Sequence, residues 1–210
     1  SWGMARWKTG ADGGWTWQTD VEGMAYSRFL LSGAVNEFQT IDFFLNFPLE
    51  VRHGLYSGKF LLFHESSHLG DDYIRATRDT GFRYSIEGAR AILSAEPLPW
   101  FRIYGGGSYL LHTVPFPERG NAQAGAELKT PTFNVFSNYP CHVYLANDTQ
   151  SHQRGGWALG SHMMLGIRIG FKEVVRSMRI HVGYFNGHSS FGQFFDRREH
   201  YWETGFSLDL

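Results

Sequence analysis

The stretch WALGSHMMLGIRIGF at residues 157–171 decides the fold class, because its side chains alternate in character. The odd positions are mostly large and apolar, as at Leu165 and Ile167. The even positions are small, polar or charged, as at His162 and Arg168. Successive side chains of a β-strand point to opposite faces. This period of two therefore predicts a strand with one apolar and one polar face.

The same alternation recurs along the whole chain and predicts eleven strands. In residues 37–49, for example, Phe43, Leu45 and Phe47 oppose Asp42 and Asn46. The predicted strands are 1–9, 14–32, 37–50, 55–67, 81–95, 99–113, 119–130, 139–150, 155–171, 176–188 and 197–210. No helical domain, linker or repeat interrupts this pattern, so we expect a single domain over residues 1–210.

The composition is unusual for a soluble domain. The 210 residues are 17% aromatic and include 25 glycines, yet mean hydropathy is only −0.30. A transmembrane barrel keeps its average hydropathy low by alternating lipid-facing and lumen-facing residues. A net charge of −1 without a basic run gives no reason to expect a nucleic-acid partner. Cys141 is the single cysteine, which excludes an internal disulfide.

Full charges at mid-strand separate this chain from a dry sandwich. They are Asp20, Glu22, Asp42, Lys59, Arg83, Glu87, Arg102, Glu127, Arg168, Arg179 and Glu203. Each unpaired one costs several kcal/mol in a dry core, whereas a wet or ion-paired lumen tolerates it. We therefore predict an all-β, antiparallel, up-and-down transmembrane barrel of about twelve strands, with a soluble sandwich or lipocalin-like barrel as the alternative. Bacterial single-chain barrels have even strand numbers, so one strand is missed here or lies upstream of Ser1.

The orientation follows if the last strand ends in the periplasm. Connections 95–99, 130–139 and 171–176 are then periplasmic, and 67–81, 113–119 and 188–197 are external. The predicted location is the bacterial outer membrane. The expected partners are the lipid bilayer, lipopolysaccharide and other envelope proteins. Phe191, Phe194 and Phe195 in the last external loop are expected to touch the outer leaflet or a partner.

Four motifs carry a resemblance to a known family. They are FHESSHLGDDY (63–73), RIYGGGSYLLH (102–112), NAQAGAEL (121–128) and YFNGHSSFGQFFDRREHY (184–201). In this order and spacing they resemble a bacterial outer-membrane family, the domain of unknown function 1207. The resemblance implies an outer-membrane barrel and implies no activity.

His64 and Ser66 are the best candidates for chemistry. Two residues apart on a strand, they share a face, and Phe60 and Leu62 on the same parity indicate the lipid-facing one. A lipid-facing His-x-Ser is similar to the sites of outer-membrane phospholipase A and the lipid A deacylase. In those families an Asn or Glu on the next strand orients the histidine. Asp79 is the candidate for this role here, with Asp71 next. The alternative is that His64 and Ser66 have no catalytic role and are polar groups at the level of the lipid headgroups.

The predicted outer rim carries further polar residues. They are His68, Asp71, Asp72, His112 and His188. Histidines scattered without fixed spacing predict no metal, and we expect no cofactor, although Asp71 and Asp72 leave a calcium site as an alternative. We predict a structural or partner-binding barrel with a charged, plugged lumen. The alternatives are an outer-leaflet phospholipid or lipid A ester hydrolase and a small-solute channel.

Overall fold

The computed structural model describes residues 2–11, 14–32, 36–135, 139–170 and 176–209. The elements are β1 (Trp2–Thr9), β2 (Trp15–Leu30), β3 (Glu37–His53), β4 (Tyr56–Leu69), α1 (Asp71–Thr77), β5 (Tyr84–Leu98), β6 (Phe101–Val114), β7 (Gly120–Lys129), β8 (Phe133–Val135), β9 (Tyr139–His152), β10 (Leu159–Gly170), β11 (Ser177–His188) and β12 (Arg198–Asp209). Short 3₁₀ turns occupy Gln153–Gly155 and Gly192–Phe194. No helix in these ranges is long and apolar enough to cross a bilayer.

All twelve strands form one antiparallel sheet, which confirms the predicted all-β fold class. The order is β1-β2-β3-β4-β5-β6-β7-β9-β10-β11-β12, and β8 pairs only with β9. All eleven predicted strands are present, with ends within four residues of the prediction. The twelfth strand, β8, is a three-residue ribbon in the segment predicted as the 130–139 turn. The predicted turn at 171–176 lies outside the described residues except for Arg176, as do Ser1 and Leu210.

The sheet curls so that its first and last strands approach each other. Arg28 of β2 and Glu199 of β12 form an ion pair of 2.6 Å between Nη1 and Oε1. Among the described residues no backbone pairing joins β1 to β12, so closure into a barrel is not established. Because eleven antiparallel strands lie on the main path, β1 and β12 run in the same direction and cannot form an antiparallel pair with each other.

The two ends of the curled sheet differ in the length of their connections. At one, here called the turn end, two of the connections have only two residues (54–55 and 99–100), although the connection 130–138, which contains β8, lies at this end as well. At the other, called the loop end, the connections include 70–83, which contains α1, and 189–197, which contains a 3₁₀ turn. Longer loops at one end are typical of the external side of outer-membrane barrels.

The convex face of the sheet is apolar and exposed. Its exposed large side chains include Phe43, Leu45, Phe47, Phe60, Leu62, Leu93, Leu165, Trp202 and Phe206. Trp202 is 78% exposed and Phe206 67%. Monomeric soluble proteins rarely expose apolar patches beyond a few hundred Å². A face of this kind therefore requires an apolar environment or a partner.

Candidate functional site

His64 stands on the convex face of β4, in the half of the strand nearer the loop end. Phe60 and Leu62 precede it in the same row and are 46% and 45% exposed, and the side chain of His64 is 41% exposed. Lys59, on the other parity, pairs with Glu22 and Glu50 on the concave face. The alternation of the strand thus places His64 and Ser66 together in an apolar outward row, as predicted.

A carboxylate on the next strand holds His64. Glu87 of β5 is the direct cross-strand partner of His64 in the sheet register. Its Oε1 lies 2.7 Å from His64 Nδ1. This contact fixes the ring and leaves Nε2 facing away from the carboxylate. A carboxylate bonded to the Nδ1 of a histidine in this way is also the arrangement of base and orienting acid in serine hydrolase triads.

Two other polar side chains lie close to Glu87 on this face. Ser85 Oγ donates to its Oε1 at 3.3 Å, and His112 Nε2 lies 3.9 Å from its Oε2. Two ionisable side chains in contact on an apolar face are costly, and at membrane depth such groups mark functional sites by default. We call His64, Ser66 and Glu87 the convex site.

Ser66 is the third residue of the convex site, and it lies on the same face of β4 as His64. It lies opposite Phe43 of β3 and Ser85 of β5. Within the described part of the chain its hydroxyl makes no hydrogen bond, to His64 or to any other group.

The structure places Glu87 beside His64, and not the predicted Asp79 or Asp71. Asp79 lies in the α1–β5 connection, where its Oδ1 accepts a hydrogen bond from the Gly81 backbone N–H at 2.9 Å. Asp71 begins α1 and lies 3.9 Å from Arg75. Because β5 begins only at Tyr84, the cross-strand neighbour of His64 comes from further along the chain than predicted.

The face of β5 on which Glu87 lies also differs from the prediction. The alternation predicted the lumen face, and the structure places Glu87 on the convex face. In the half of β5 nearer the loop end, the concave positions are filled by Tyr84 and Ile86, which pack with Leu110 and Phe116. Tyr84, Ile86, Leu110 and Phe116 form an apolar patch at this point of the concave face, so Glu87, on the other parity of β5, lies on the convex face.

The predicted rim residues do not form a cluster. His112 faces the convex site and His68 packs its ring at 6.3 Å from Phe43. His188 instead lines a concave-face cavity. Asp72 accepts a hydrogen bond from the Phe38 backbone N–H at 3.2 Å. In the described ranges no group of three or more His, Cys, Asp or Glu is arranged to hold a metal ion.

The six charges singled out for the lumen line the concave face, most of them in ion pairs. The distances are 3.5 Å for Glu22 and Lys59, 2.6 Å for Arg102 and Glu127, 3.5 Å for Arg168 and Asp209, 2.5 Å for Arg179 and Asp209, and 2.7 Å and 3.4 Å for Glu203 with His162 and His181. Asp20 is buried and accepts from the Gln18 amide at 3.0 Å. Pairing of this kind lets charges persist in a partly desolvated space.

A cap from the β11–β12 connection crosses the loop end of this space. The Gly192 N–H donates to Asp42 Oδ2 at 2.9 Å, and the Gln193 N–H donates to Ser67 Oγ at 3.0 Å. The Gln193 amide donates to the carbonyls of Ser67 and Phe82 at 2.9 and 2.8 Å. Ser67 Oγ itself donates to Asp42 Oδ1. The segment Gly192–Phe194 is therefore tied to β3 and β4 across the fold.

The aromatic residues of the cap point inward. Phe194 is 1% exposed, with the Arg197 guanidinium 4.0 Å from its ring centroid, and Phe195 packs 5.0 Å from Phe116. The expectation that Phe194 and Phe195 touch the outer leaflet is wrong for this reason. The sequence offered one signal for the cap, which is the presence of three phenylalanines, Phe191, Phe194 and Phe195, in one short loop.

A family model described as "Protein of unknown function (DUF1207)" matches residues 9–209. No curated protein and no solved structure matches the chain.

Proposed function

The chain therefore belongs to the DUF1207 family of unknown function, and we propose that it is a β-barrel of the bacterial outer membrane that hydrolyses lipid esters at its convex site. The wall is proposed to close between β12 and the β1–β2 hairpin, near the ion pair of Arg28 and Glu199. The exposed apolar convex face and the charged concave face support this location, since the two are arranged as in a barrel with lipid outside and water inside.

Aromatic groups near both ends of the sheet also support the membrane location. At the turn end Trp7 and Trp17 stack with centroids 6.2 Å apart. Nearer the loop end Tyr184 and Trp202 lie 5.1 Å apart. Trp and Tyr are enriched at the two membrane–water interfaces. With the longer loops external, the convex site lies on the outer-leaflet side, facing phospholipid or lipid A.

The contact between His64 and Glu87 carries the enzymatic proposal. In the proposed reaction His64 Nε2 takes the proton of Ser66, and Ser66 Oγ attacks the ester carbonyl carbon. The ester C–O bond breaks as His64 passes that proton to the leaving alcohol, which leaves an acyl-serine. Water, deprotonated by His64, then releases the fatty acid and restores Ser66. Glu87 keeps the ring oriented and stabilises the imidazolium in both steps.

The test is fatty acid release by protein purified in detergent and given phospholipid or lipopolysaccharide. We expect wild-type protein to release fatty acid and Ser66→Ala to lose at least about 10³-fold in rate. Ser27→Ala is the matched control, because Ser27 is exposed on β2, away from His64. Ser85→Ala removes the other serine hydroxyl near Glu87 and is expected to retain activity, which distinguishes Ser66 from Ser85 as the nucleophile. Absence of release by wild-type protein from both lipids, or equal release by Ser66→Ala, contradicts the proposal.

A closed structural or partner-binding barrel is the second candidate, favoured by the cap. The hydrogen bonds of Gly192 and Gln193 to Asp42 and Ser67 hold the cap across the loop end of the concave space. The same cap argues against a small-solute channel. Conductance measured in a planar bilayer separates these alternatives: a plugged barrel gives no steady conductance, and a channel gives open steps.

A further inference from the structure

A polar cavity lies on the concave face, behind the cap and on the opposite side of the wall from the convex site. Its volume is about 310 Å³, at the lower end of the ~300–1,000 Å³ usual for small-molecule sites. A smaller cavity of about 50 Å³ adjoins it, and the two share Glu65, Arg90, His152 and Arg154 in their walls.

Buried polar atoms without a protein partner gather around these two cavities. In the described ranges four such side-chain atoms occur, and three belong to cavity residues: Arg90 Nε, Asn121 Oδ1 and His188 Nδ1. Buried polar groups in folded proteins are almost always hydrogen-bonded, and each exception calls for an explanation, such as a bound ion or water. Their concentration here points to a polar ligand.

Arg90 shows the sign of the ligand charge. Among the described residues its guanidinium makes no hydrogen bond or ion pair, and its nearest defined contact is the Phe63 ring, 5.6 Å from Cζ. An unpaired guanidinium in a partly desolvated cavity is unfavourable, and a planar oxyanion matches its fork of donors in bidentate fashion.

The two carboxylates near Arg90 have other donors beside them. Asp148 accepts from Tyr104 Oη and Gln123 Nε2 at 2.7 Å each and from Gln150 Nε2 at 2.8 Å. Glu65 lies close to Arg154 and to the Tyr84 hydroxyl. Tyr84 in turn accepts from Arg154 Nη1 at 2.9 Å. Among the described residues neither carboxylate forms an ion pair with Arg90, so its donors are available to a ligand, with the Arg154 guanidinium as a second cation in the walls of both cavities.

We propose that this cavity binds a small polar oxyanion, a carboxylate or a phosphate, with Arg90 as its principal ligand. His188 lines the larger cavity with Arg90, and Asn121 lines the smaller one. Asn121 Oδ1 is an acceptor, so its part in the proposal is to accept a hydrogen bond from a hydroxyl of the ligand rather than to contact the charged oxygens. The proposal does not depend on the convex site, which faces the other side of the sheet.

The experiment measures binding by calorimetry to the folded protein in detergent. The probes are inorganic phosphate and citrate at millimolar concentration, against sodium chloride of equal ionic strength. We expect one probe to bind, and which one identifies the oxyanion class. Arg90→Gln is expected to weaken binding about 10- to 100-fold, because one charge-assisted contact is lost. Arg52→Gln is the control, since Arg52 pairs with Glu96 near the turn end, outside this cavity.

Two further variants cover the case in which Arg90→Gln does not fold. Arg90→Lys keeps the charge but loses the fork, and is expected to weaken binding several-fold. Asn121→Asp places a carboxylate beside the anion and is expected to weaken binding as well. The proposal is overturned if neither probe binds wild-type protein, or if the folded Arg90 and Asn121 variants bind as tightly as wild type does. The unpartnered atoms are then satisfied by water alone.

Discussion

Ser66 and Ser67 are neighbours in β4, yet they belong to two different regions of the molecule. Ser66 stands in the apolar convex row beside His64, and within the described residues its hydroxyl has no partner. Ser67 is 1% exposed on the concave face, where it donates to Asp42 and accepts from the Gln193 N–H. The first hydroxyl is the proposed nucleophile, and the second ties the cap to β3 and β4. Strand alternation alone separates the two roles.

The largest expected effect lies on the convex side of this comparison. Glu87→Gln keeps the size of the side chain but removes the charge that orients His64 and stabilises its protonated form. We expect fatty acid release to fall by about 10²- to 10⁴-fold, as when the acid of a serine triad is neutralised. Steady-state release from phospholipid vesicles measures this, and an unchanged rate means that Glu87 has no part in the reaction.

The next effect lies on the concave side. Asp42→Ala leaves the Gly192 N–H and the Ser67 hydroxyl without their shared acceptor. We expect a loss of about 3 kcal/mol in the free energy of unfolding, because hydrogen bonds to a charged group contribute roughly 1.5–3 kcal/mol each and the donors stay buried. Denaturant unfolding in detergent measures this. Loss of fatty acid release by an Asp42→Ala protein that is still folded contradicts the separation of the two regions.

Gly192→Ala tests the same cap by steric means. A Cβ on Gly192 meets Ser67 Cβ at 2.6 Å and the Tyr84 ring at 2.7 Å, which is too close for any side chain. We expect a destabilisation of about 1–3 kcal/mol, as for other overpacked sites. Proteolysis of the 189–197 connection is expected to accelerate in parallel. Wild-type stability in this variant means that the cap is not tied down as described.

The smallest expected effect is that of Asp79→Asn. Asp79 is exposed in the α1–β5 connection, where its side chain accepts a hydrogen bond from the Gly81 N–H and its own N–H donates to Thr77 Oγ1. We expect the rate of fatty acid release to stay within about twofold of wild type, since surface substitutions outside special features are close to neutral. A loss comparable to that of Glu87→Gln assigns the orienting acid to Asp79 instead.

The strands and their faces could be predicted from the sequence because alternation is local. Phe43 against Asp42, or Leu165 against Arg168, shows the period of two without knowledge of any partner strand. The same locality placed His64 and Ser66 together on the convex face. It also predicted the concave location of Arg102, Arg168 and Arg179.

The acid of the convex site could not be found in the same way. The pairing of His64 with Glu87 depends on the register between β4 and β5, which is set by the length of the connection 70–83 and by α1 inside it. Ile86 and Tyr84, buried on the concave face, reversed the expected face of Glu87. The cap was hidden for a similar reason, because Gln193 and Ser67 are 126 residues apart.

Fatty acid release by Ser66→Ala and Ser67→Ala, compared side by side with wild type on phospholipid vesicles, tests the central claim most directly. We expect Ser66→Ala to keep wild-type stability and lose release by at least about 10³-fold. Ser67→Ala is expected to keep release and to lose about 1–2 kcal/mol of stability. Equal release by all three proteins, or loss of release in Ser67→Ala alone, contradicts the assignment of chemistry to the convex face and anchoring to the concave one.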